Sequence, residues 1–338
     1  MATKMDPKES AKNALLHVLE ALPGEHIIIV CDEPLKPVGE AFAFGAVDIG
    51  LWTRMVLLET SSMPRKDIPH HLYEIFNSQK PDIFINLLRG DSEETPFRIK
   101  VTKMETRRRV RLGHCPGITL DMLTEGALAL TPEDYRYMQN MAHRLMLHLQ
   151  GAETVHITNE MGTDLTLSVK NRPFITDVKL DWKTMKWMNL PVGEVYCGPE
   201  ENSLEGVLVC ETAVGGIGRL KAPVKIKAEK GKAVEVESKD KKALERIIKA
   251  LDTDEWSRYV GEFAFGLNPR ARIVDAFLET EKVNNTCHIA FGNNEDFPNG
   301  QNPAQNHMDF LITKPTVVVK YEDGSEKTLM EKGEYRVF

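Results

Sequence analysis

Hydrophobic and polar residues in the first 150 positions form alternating helix and strand patterns. Asp6 and Pro7 place a capping residue before a proline at the start of a helix, whose apolar positions run to Leu22. Continuous apolar, β-branched runs fit strands that are buried on both faces of a parallel sheet. These predicted strands cover residues 26–31, 55–58, 83–88 and 111–114. Helical patterns separate them, so the order predicts an α/β domain with a doubly wound parallel sheet over residues 1–150.

After Gly151 the segments become shorter and alternate polar with apolar residues. Residues 155–158 and 164–169 flank a turn, which predicts a β-hairpin. A second hairpin is expected at residues 317–329, with Asp323 and Gly324 in its turn. Further strands are predicted at 207–210, 224–227 and 233–236, and an amphipathic helix at 239–250. Residues 151–338 are therefore predicted to form an α+β domain with mostly antiparallel sheet.

The composition is that of an ordinary folded protein, and it limits the partners. The 338 residues are 28% charged and 42% hydrophobic, with a net charge of -7. This acidic balance argues against a nucleic-acid partner, and the basic triplet at residues 107–109 is best interpreted as a solvated helix face. No apolar run approaches the roughly 20 residues that cross a bilayer, and no signal-peptide pattern opens the chain. Five cysteines without CxxC spacing suit a reducing compartment, so we expect a cytoplasmic protein with no membrane partner.

The turns that follow the predicted parallel strands carry no nucleotide fingerprint. They read Cys-Asp-Glu-Pro, Thr-Ser-Ser-Met-Pro and Arg-Gly-Asp-Ser. None is a GxGxxG or P-loop sequence, so no nucleotide-binding residue is predicted.

An aromatic and methionine-rich stretch lies near the middle of the chain. Trp182, Met185, Trp187 and Met188 share it. We interpret their face as core or as a dimer contact, and an apolar substrate pocket is the alternative.

Candidate metal-binding residues concentrate in the second half of the chain. His307 and Asp309 are two residues apart, so on a strand both side chains project from the same face. His288 begins a short apolar run that ends in glycine, and Glu194 and Glu262 each follow a glycine, which allows close backbone approach. Imidazole and carboxylate groups are typical ligands of divalent metals. Spacing alone leaves two interpretations open, a divalent-metal site and ordinary surface or capped roles.

Several short motifs occur in a fixed order. They are Asn-Leu-Pro-Val-Gly-Glu-Val-Tyr at 189–196, Pro-Glu-Glu-Asn-Ser-Leu-Glu-Gly at 199–206, Gly-Glu at 261–262, Gly-Leu-Asn-Pro at 266–269, Glu-Lys at 281–282, His-Ile-Ala-Phe-Gly at 288–292 and His-Met-Asp at 307–309. Over about residues 150–320 this set resembles the thermophilic metallo-aminopeptidase family, which comprises aminopeptidase T, aminopeptidase S and leucyl aminopeptidase relatives.

The resemblance implies a metal-dependent aminopeptidase that removes N-terminal residues from small peptides through a two-metal-activated water. A pair of divalent ions, Zn, Co or Mn, would be held by Glu194, Glu262, His288, His307 and Asp309. Glu194 and Glu262 would also act in catalysis, by bridging the ions or accepting a proton from water. The resemblance further implies a homodimer.

The sequence departs from the family at one position near the expected centre. The family carries a tyrosine just before a proline, shortly after its first histidine. Here Phe297 precedes Pro298, and a phenylalanine cannot ligate or donate a hydrogen bond. Glu295 and Asp296 are the neighbouring polar residues that could take its place.

A second function remains open at the same residues. His288, His307 and Asp309 also form a two-histidine, one-carboxylate set, which suits non-haem Fe(II). The same superfamily includes dihydroxypyridine dioxygenase-like proteins of similar length. The alternative is therefore an Fe(II) ring-cleaving dioxygenase that acts on a dihydroxypyridine-like small molecule, and a metal-binding relative without catalysis is a third interpretation.

Overall fold

The computed structural model describes residues 4–181 and 187–337. Its contacts divide the chain into two compact units. The first comprises Met1–Tyr137 and Asp177–Val192, and the second comprises Met138–Thr176 and Gly193–Phe338. The predicted domain boundary near Gly151 stays a prediction.

The described residues form helices and strands along the whole chain. The helices are α1 (Pro7–His17), α2 (Lys36–Ile49), α3 (His70–Ser78), α4 (Thr95–Glu105), α5 (Leu120–Thr124), α6 (Pro132–Leu149), α7 (Lys241–Leu251) and α8 (Phe277–Thr280). The strands are β1 (His26–Asp32), β2 (Trp52–Leu58), β3 (Ile83–Leu87), β4 (Arg111–His114), β5 (Ala152–Thr158), β6 (Asp164–Ser168), β7 (Ile175–Thr176), β8 (Trp187–Asn189), β9 (Glu194–Cys197), β10 (Glu205–Cys210), β11 (Ala213–Val214), β12 (Gly218–Arg219), β13 (Val224–Glu229), β14 (Lys232–Ser238), β15 (Val260–Gly266), β16 (Thr286–Gly292), β17 (His307–Thr313), β18 (Thr316–Tyr321), β19 (Glu326–Glu331) and β20 (Glu334–Tyr335). Short 3-10 turns lie at Glu33–Leu35 and Ser92–Glu94.

The first unit contains a five-stranded sheet in the order β2-β1-β3-β4-β8, and every neighbouring pair is parallel. β1 and β3 are buried along nearly all of their length, as their continuous apolar runs predict. The predicted α/β class is therefore confirmed. The fifth strand, β8, comes from a distant three-residue segment that is too short to show a period in the sequence.

Helix ends in this unit follow local chemistry, with one difference from the sequence pattern. The Asp6 side chain accepts a hydrogen bond from the backbone N–H of Lys8 and caps α1. The prediction that α1 extends to Leu22 was wrong, because the helix ends at His17 and Leu22 is exposed. Glu20 has a φ of 50°, which a right-handed helix cannot continue.

An ion-paired network covers the carboxyl ends of β1 and β3. The buried carboxylate of Asp32 accepts hydrogen bonds from Arg65 Nη2 and from the backbone N–H of Arg89, both at 2.7 Å. Buried Glu94 accepts from Arg65 Nη2 at 2.7 Å and from the Arg89 guanidinium. This network ties the loop that carries Arg65 to the sheet.

A buried polar chain lies beside the same sheet. His114 Nδ1 bonds to the side-chain oxygen of Asn86, and Asn86 Nδ2 donates to Glu105 Oε2 at 2.7 Å. Burial lowers the pKa of His114 to about 3, so its ring is neutral and Nδ1–H is the donor. Burial also raises the pKa of Glu105 to about 8, so this carboxyl is protonated at neutral pH.

The second unit contains two antiparallel sheets and confirms the predicted α+β class. One sheet has the order β14-β13-β10-β6-β5-β18-β19-β20, and the other has the order β12-β11-β17-β16-β15-β9-β7. Both predicted hairpins form, as the pairs β5–β6 and β18–β19. The predicted amphipathic helix is α7, which Asp240 caps by accepting from the backbone N–H of Ala243 at 3.1 Å.

The aromatic stretch near the middle of the chain is described only in part. Trp182 and Met185 lie outside the described residues. Met188 is buried in β8, and Trp187 is exposed. Across the described parts of the chain, helices are too short or too polar to span a membrane.

Candidate metal centre

Three neighbouring strands of the seven-stranded sheet carry four of the predicted ligands on one face. Glu262 on β15 is paired with Ala290 on β16, and Ala290 is paired with Asp309 on β17. Directly paired residues of antiparallel strands project to the same side. His288 and His307 lie two residues before Ala290 and Asp309, so they share this face.

The fourth strand, β9, brings Glu194 to the same face. Glu194 is paired with Gly266 on β15, which lies four residues after Glu262 and therefore has the same orientation. Between these positions the face carries the small side chains of Ala264 and Ala290. Their methyl groups leave room for the longer carboxylate and imidazole side chains to converge above the sheet.

The side chains of the five predicted residues meet in two overlapping groups. Glu194, Glu262 and His288 form one group, and Glu262, His307 and Asp309 form the other, with ligand atoms within 4.8 Å of one another in each. His288 Nε2 lies 3.5 Å from Glu262 Oε1 and 3.8 Å from Glu194 Oε2. His307 Nε2 lies 3.0 Å from Glu262 Oε2 and 3.3 Å from Asp309 Oδ1. Glu262 is thus common to both groups, with one oxygen toward each histidine.

The two histidines are held differently. His307 Nδ1 lies 2.7 Å from the backbone carbonyl of Asn293, so Nδ1–H donates to that carbonyl and Nε2 faces the carboxylates. His288 Nε2 also faces carboxylates, while its buried Nδ1 has no hydrogen-bond partner within residues 4–181 and 187–337. The His307 side chain is 31% exposed, whereas those of Glu262 and His288 are 7% and 1% exposed. The centre is therefore open on the His307 side.

The electrostatics of the centre favour bound positive charge. Burial alone would lower the pKa of His288, but the hydrogen bond to Glu262 and the charges of Glu194 and Asp309 raise it to about 9. Burial alone would raise the pKa of Glu262, but its bonds to His288 and His307 hold it well below its ordinary value. Three converging carboxylates with two imidazoles form a set of nitrogen and oxygen donors that fits divalent zinc, cobalt or manganese.

Lys282 is a charged neighbour of this centre that spacing analysis did not identify. Its side chain is 1% exposed, and Nζ bonds to Glu194 Oε1 and lies 3.0 Å from Glu281 Oε1. In the sequence, the pair Glu281-Lys282 stands out only as one member of the motif set. No local pattern could assign its partner, because Lys282 and Glu194 are 88 residues apart in sequence.

Tyr196 is a second neighbour that the sequence did not single out. It follows Glu194 by two residues on β9, so it lies on the same face. Its ring centroid lies 5.2 Å from that of Phe297, and Phe297 lies 6.2 Å from the His307 ring. The polar residues next to Phe297, Glu295 and Asp296, are exposed. The i, i+2 spacing from Glu194 was the available signal for Tyr196.

A residue of the motif at 199–206 holds the loop between β16 and β17. Glu201 accepts hydrogen bonds from Arg172 Nη2 at 2.6 Å, from Asn294 Nδ2 at 3.0 Å and from the backbone N–H of Gln301 at 2.8 Å. This carboxylate therefore fixes the loop that connects His288 to His307.

Comparisons with known proteins match this part of the chain. Residues 133–335, more than half of the chain, match the family described as thermophilic metalloprotease (M29). Aminopeptidase T from Thermus thermophilus is 34% identical over 166 residues, which are 44% of this chain and 40% of that protein. Aminopeptidase T from Thermus aquaticus is 34% identical over 164 residues, with the same shares. The match thus spans well under half the length of these curated relatives.

Two solved structures share the fold over nearly the whole chain. Wild-type aminopeptidase T from Thermus thermophilus has a TM-score of 0.71 and 20% identity, and the match covers 98% of both chains. A 2,5-dihydroxypyridine dioxygenase from Pseudomonas putida has a TM-score of 0.70 and 15% identity, with coverage of 97% of this chain and 96% of that chain. At these identities the likeness concerns the fold alone.

Proposed function

The chain belongs to the thermophilic metalloprotease (M29) family, and from that premise we propose that it is a metal-dependent aminopeptidase that removes N-terminal residues from small peptides. One observation carries the proposal most directly. Glu262 belongs to two groups of ligand atoms at once, and each group adds a different histidine and a different second carboxylate. This arrangement suits two ions that share one carboxylate.

Each ion would have its own residues. Glu194, Glu262 and His288 would hold one, and Glu262, His307 and Asp309 would hold the other. When bound, a pair of divalent ions polarises a peptide carbonyl and lowers the pKa of a water molecule toward neutrality. Zinc is the proposed native metal, with cobalt or manganese as substitutes that the same donor atoms accept.

The residues of the centre would divide the remaining tasks. The carbonyl of Asn293 orients the His307 ring and keeps its Nε2 directed at Glu262. Glu194 or Glu262 would bridge the ions or accept the proton of the attacking water. Because His307 is the most exposed of the five, a peptide would reach the centre from its side.

The ring-cleaving dioxygenase is not favoured as the function. The matching family and the curated relatives are peptidases, whereas the dioxygenase resembles this chain only at the level of fold. In addition, the carboxylates of Glu194 and Glu262 belong to the same groups of potential ligand atoms as the two histidines. A site for a single iron in a two-histidine, one-carboxylate set does not require these additional carboxylates.

We also propose a cytoplasmic homodimer. All five cysteines are free and buried, which suits a reducing compartment. A monomer in light scattering at micromolar concentration would contradict the dimer.

The function is tested by metal content and turnover together. Protein purified without added metal is analysed for elements, stripped with a chelator, and reloaded with Zn²⁺, Co²⁺ or Mn²⁺. Each form is assayed on aminoacyl chromogens and short peptides, with N-acetylated peptides as the control for a free amino terminus. We expect about two ions per chain and release of N-terminal residues from the unblocked peptides only. Reloaded protein that releases no amino acid from any peptide would contradict the proposal. One bound iron per chain, together with oxygen uptake on a hydroxypyridine, would support the dioxygenase instead.

A further inference from the structure

A buried lysine holds one oxygen of a proposed metal ligand. Lys282 lies between α8 and β16, and its side chain is 1% exposed. Lysine is almost never fully buried unless its charge is paired. Here the ammonium contacts Glu194 Oε1 and lies 3.0 Å from Glu281 Oε1. The ammonium group is therefore paired with the carboxylates of Glu194 and Glu281.

The two oxygens of Glu194 consequently have different environments. Oε1 is bonded to Lys282, whereas Oε2 lies 3.8 Å from His288 Nε2, within the group of ligand atoms. A carboxylate whose first oxygen is held by an ammonium group has its second oxygen oriented toward the ion site. Glu262 differs, because each of its oxygens faces a histidine.

The backbone around Lys282 is itself fixed against the segment that precedes Glu194. The backbone N–H of Asn268 donates to the carbonyl of Lys282 at 2.8 Å, and that of Leu267 donates to the carbonyl of Gly193 at 2.7 Å. Gly193 has a φ of 135°, and a Cβ there would lie 2.7 Å from the Cβ of Asn268. Only glycine allows this approach. Three separate motifs thus converge to place the ammonium beside Glu194.

We propose that Lys282 is a positioning residue for metal binding: it anchors Glu194 Oε1, directs Oε2 into the centre and thereby sets the affinity for the ion that Glu194 holds. This rests on the metal centre of the proposed function. Outer partners of this kind remove the freedom that a ligand would otherwise lose when the metal binds. Lys282 also places positive charge between the carboxyl groups of Glu194 and Glu281, which reduces the repulsion between them.

The test measures binding of Co²⁺ to metal-stripped full-length protein by titration calorimetry, without reference to turnover. We expect Lys282→Met to weaken the ion held by Glu194 by about 10–100-fold. The ion held by His307 and Asp309 should bind nearly as in the unchanged protein. Lys225→Met, which removes an exposed lysine from β13, is the matched control and should change neither ion.

A double-mutant cycle distinguishes a positioning role of Lys282 from a merely structural role. In a Glu194→Gln background, Lys282→Met should cause little further loss of Co²⁺ affinity, because the carboxylate that it orients is already neutral. An equal loss in both backgrounds, or an unchanged affinity of Lys282→Met, would overturn the inference. If the unchanged protein itself binds no Co²⁺, the proposed function fails instead.

A second variant covers the case in which Lys282→Met does not fold. Lys282→Met combined with Glu281→Gln removes one positive and one negative charge together, so one fewer buried carboxylate is left unpaired. Folding is checked by circular dichroism and thermal unfolding before titration. The double variant should show the same 10–100-fold loss for the Glu194 ion, and full affinity would count against the inference.

Discussion

Glu262 Oε2 lies 3.0 Å from His307 Nε2, and this contact links the buried part of the centre to its exposed edge. The other oxygen of Glu262 faces His288 at 3.5 Å. A single carboxylate therefore connects two histidines that are 19 residues apart and lie on different strands.

Glu262→Gln should weaken the binding of both proposed ions, because the amide has no negative charge to share between them. We expect metal affinity to fall by more than the 10–100-fold that loss of an outer partner costs. Peptide turnover should fall with it. Elemental analysis and peptide assays check this, with Glu322→Gln in the exposed turn of the β18–β19 hairpin as control. Two tightly held ions in Glu262→Gln would contradict the shared-ligand arrangement.

Removal of metal should lower thermal stability. Three carboxylates converge at the centre, and an ion that binds only the folded state stabilises it by mass action. At a free metal concentration of 100 times Kd the gain is about 2.7 kcal/mol. Differential scanning calorimetry with chelator, and then with added Zn²⁺, should show the melting temperature fall and recover. An identical melting temperature in both conditions would speak against metal binding by the folded chain.

The ring pair beside His307 should influence turnover. Tyr196 carries a phenol on the face of the centre, and its ring contacts Phe297. A phenol there can donate a hydrogen bond to charge that develops on a carbonyl oxygen, and loss of such a donor costs about 100-fold or more in kcat. Tyr196→Phe should lower kcat while KM changes little, and adding Phe297→Tyr should restore part of it. Full activity of Tyr196→Phe would remove Tyr196 from the mechanism.

Glu105 should make stability depend on pH in the first unit. Its pKa is raised by burial to about 8, compared with about 4.3 in an unfolded chain. The folded state therefore keeps a proton that the unfolded chain releases, and stability falls as pH rises from about 4.3 to 8 by up to about 1.4 kcal/mol per pH unit. Glu105→Gln has no such proton to lose. In denaturant unfolding from pH 5 to 8, the free energy of unfolding of the variant should rise relative to that of the unchanged protein. A difference that stays constant with pH would contradict this.

The network at the carboxyl ends of β1 and β3 should contribute strongly to stability. Arg65→Met leaves the buried carboxylates of Asp32 and Glu94 without their shared cation, and breaking a buried pair costs about 3–5 kcal/mol. Arg54→Met on the exposed surface of β2 is the control. Urea unfolding at pH 7 measures the difference, and a loss similar to that of the control would show that the network is dispensable.

The same network predicts a loss of stability in acid. Burial alone would raise the pKa of Glu94, but hydrogen bonds from Arg89 and Arg65 hold it well below its ordinary value. This contribution is present above the unfolded pKa of about 4.3 and is lost as pH falls through the lower folded pKa. The difference between Arg65→Met and the unchanged protein should therefore shrink below about pH 4.

Local pattern determined most of the secondary structure. The buried runs of β1 and β3 and the alternation in β5 and β6 follow from side-chain period, which is a property of neighbouring residues. His307 and Asp309 share a face because they are two residues apart on one strand. The five candidate ligands and their order along the chain came from the resemblance of the motifs to the metallo-aminopeptidase family, because spacing alone left ordinary surface roles open.

Tertiary structure decided which residues meet. Glu194 comes near His288 only through the pairing of β9 with β15 and of β15 with β16, and Lys282 reaches Glu194 across 88 residues of sequence. Strand register depends on hydrogen bonds and packing between distant segments, so no local period encodes it. For the same reason the last strand of the parallel sheet, β8, was not predicted, because three residues acquire a strand conformation only by pairing with β4.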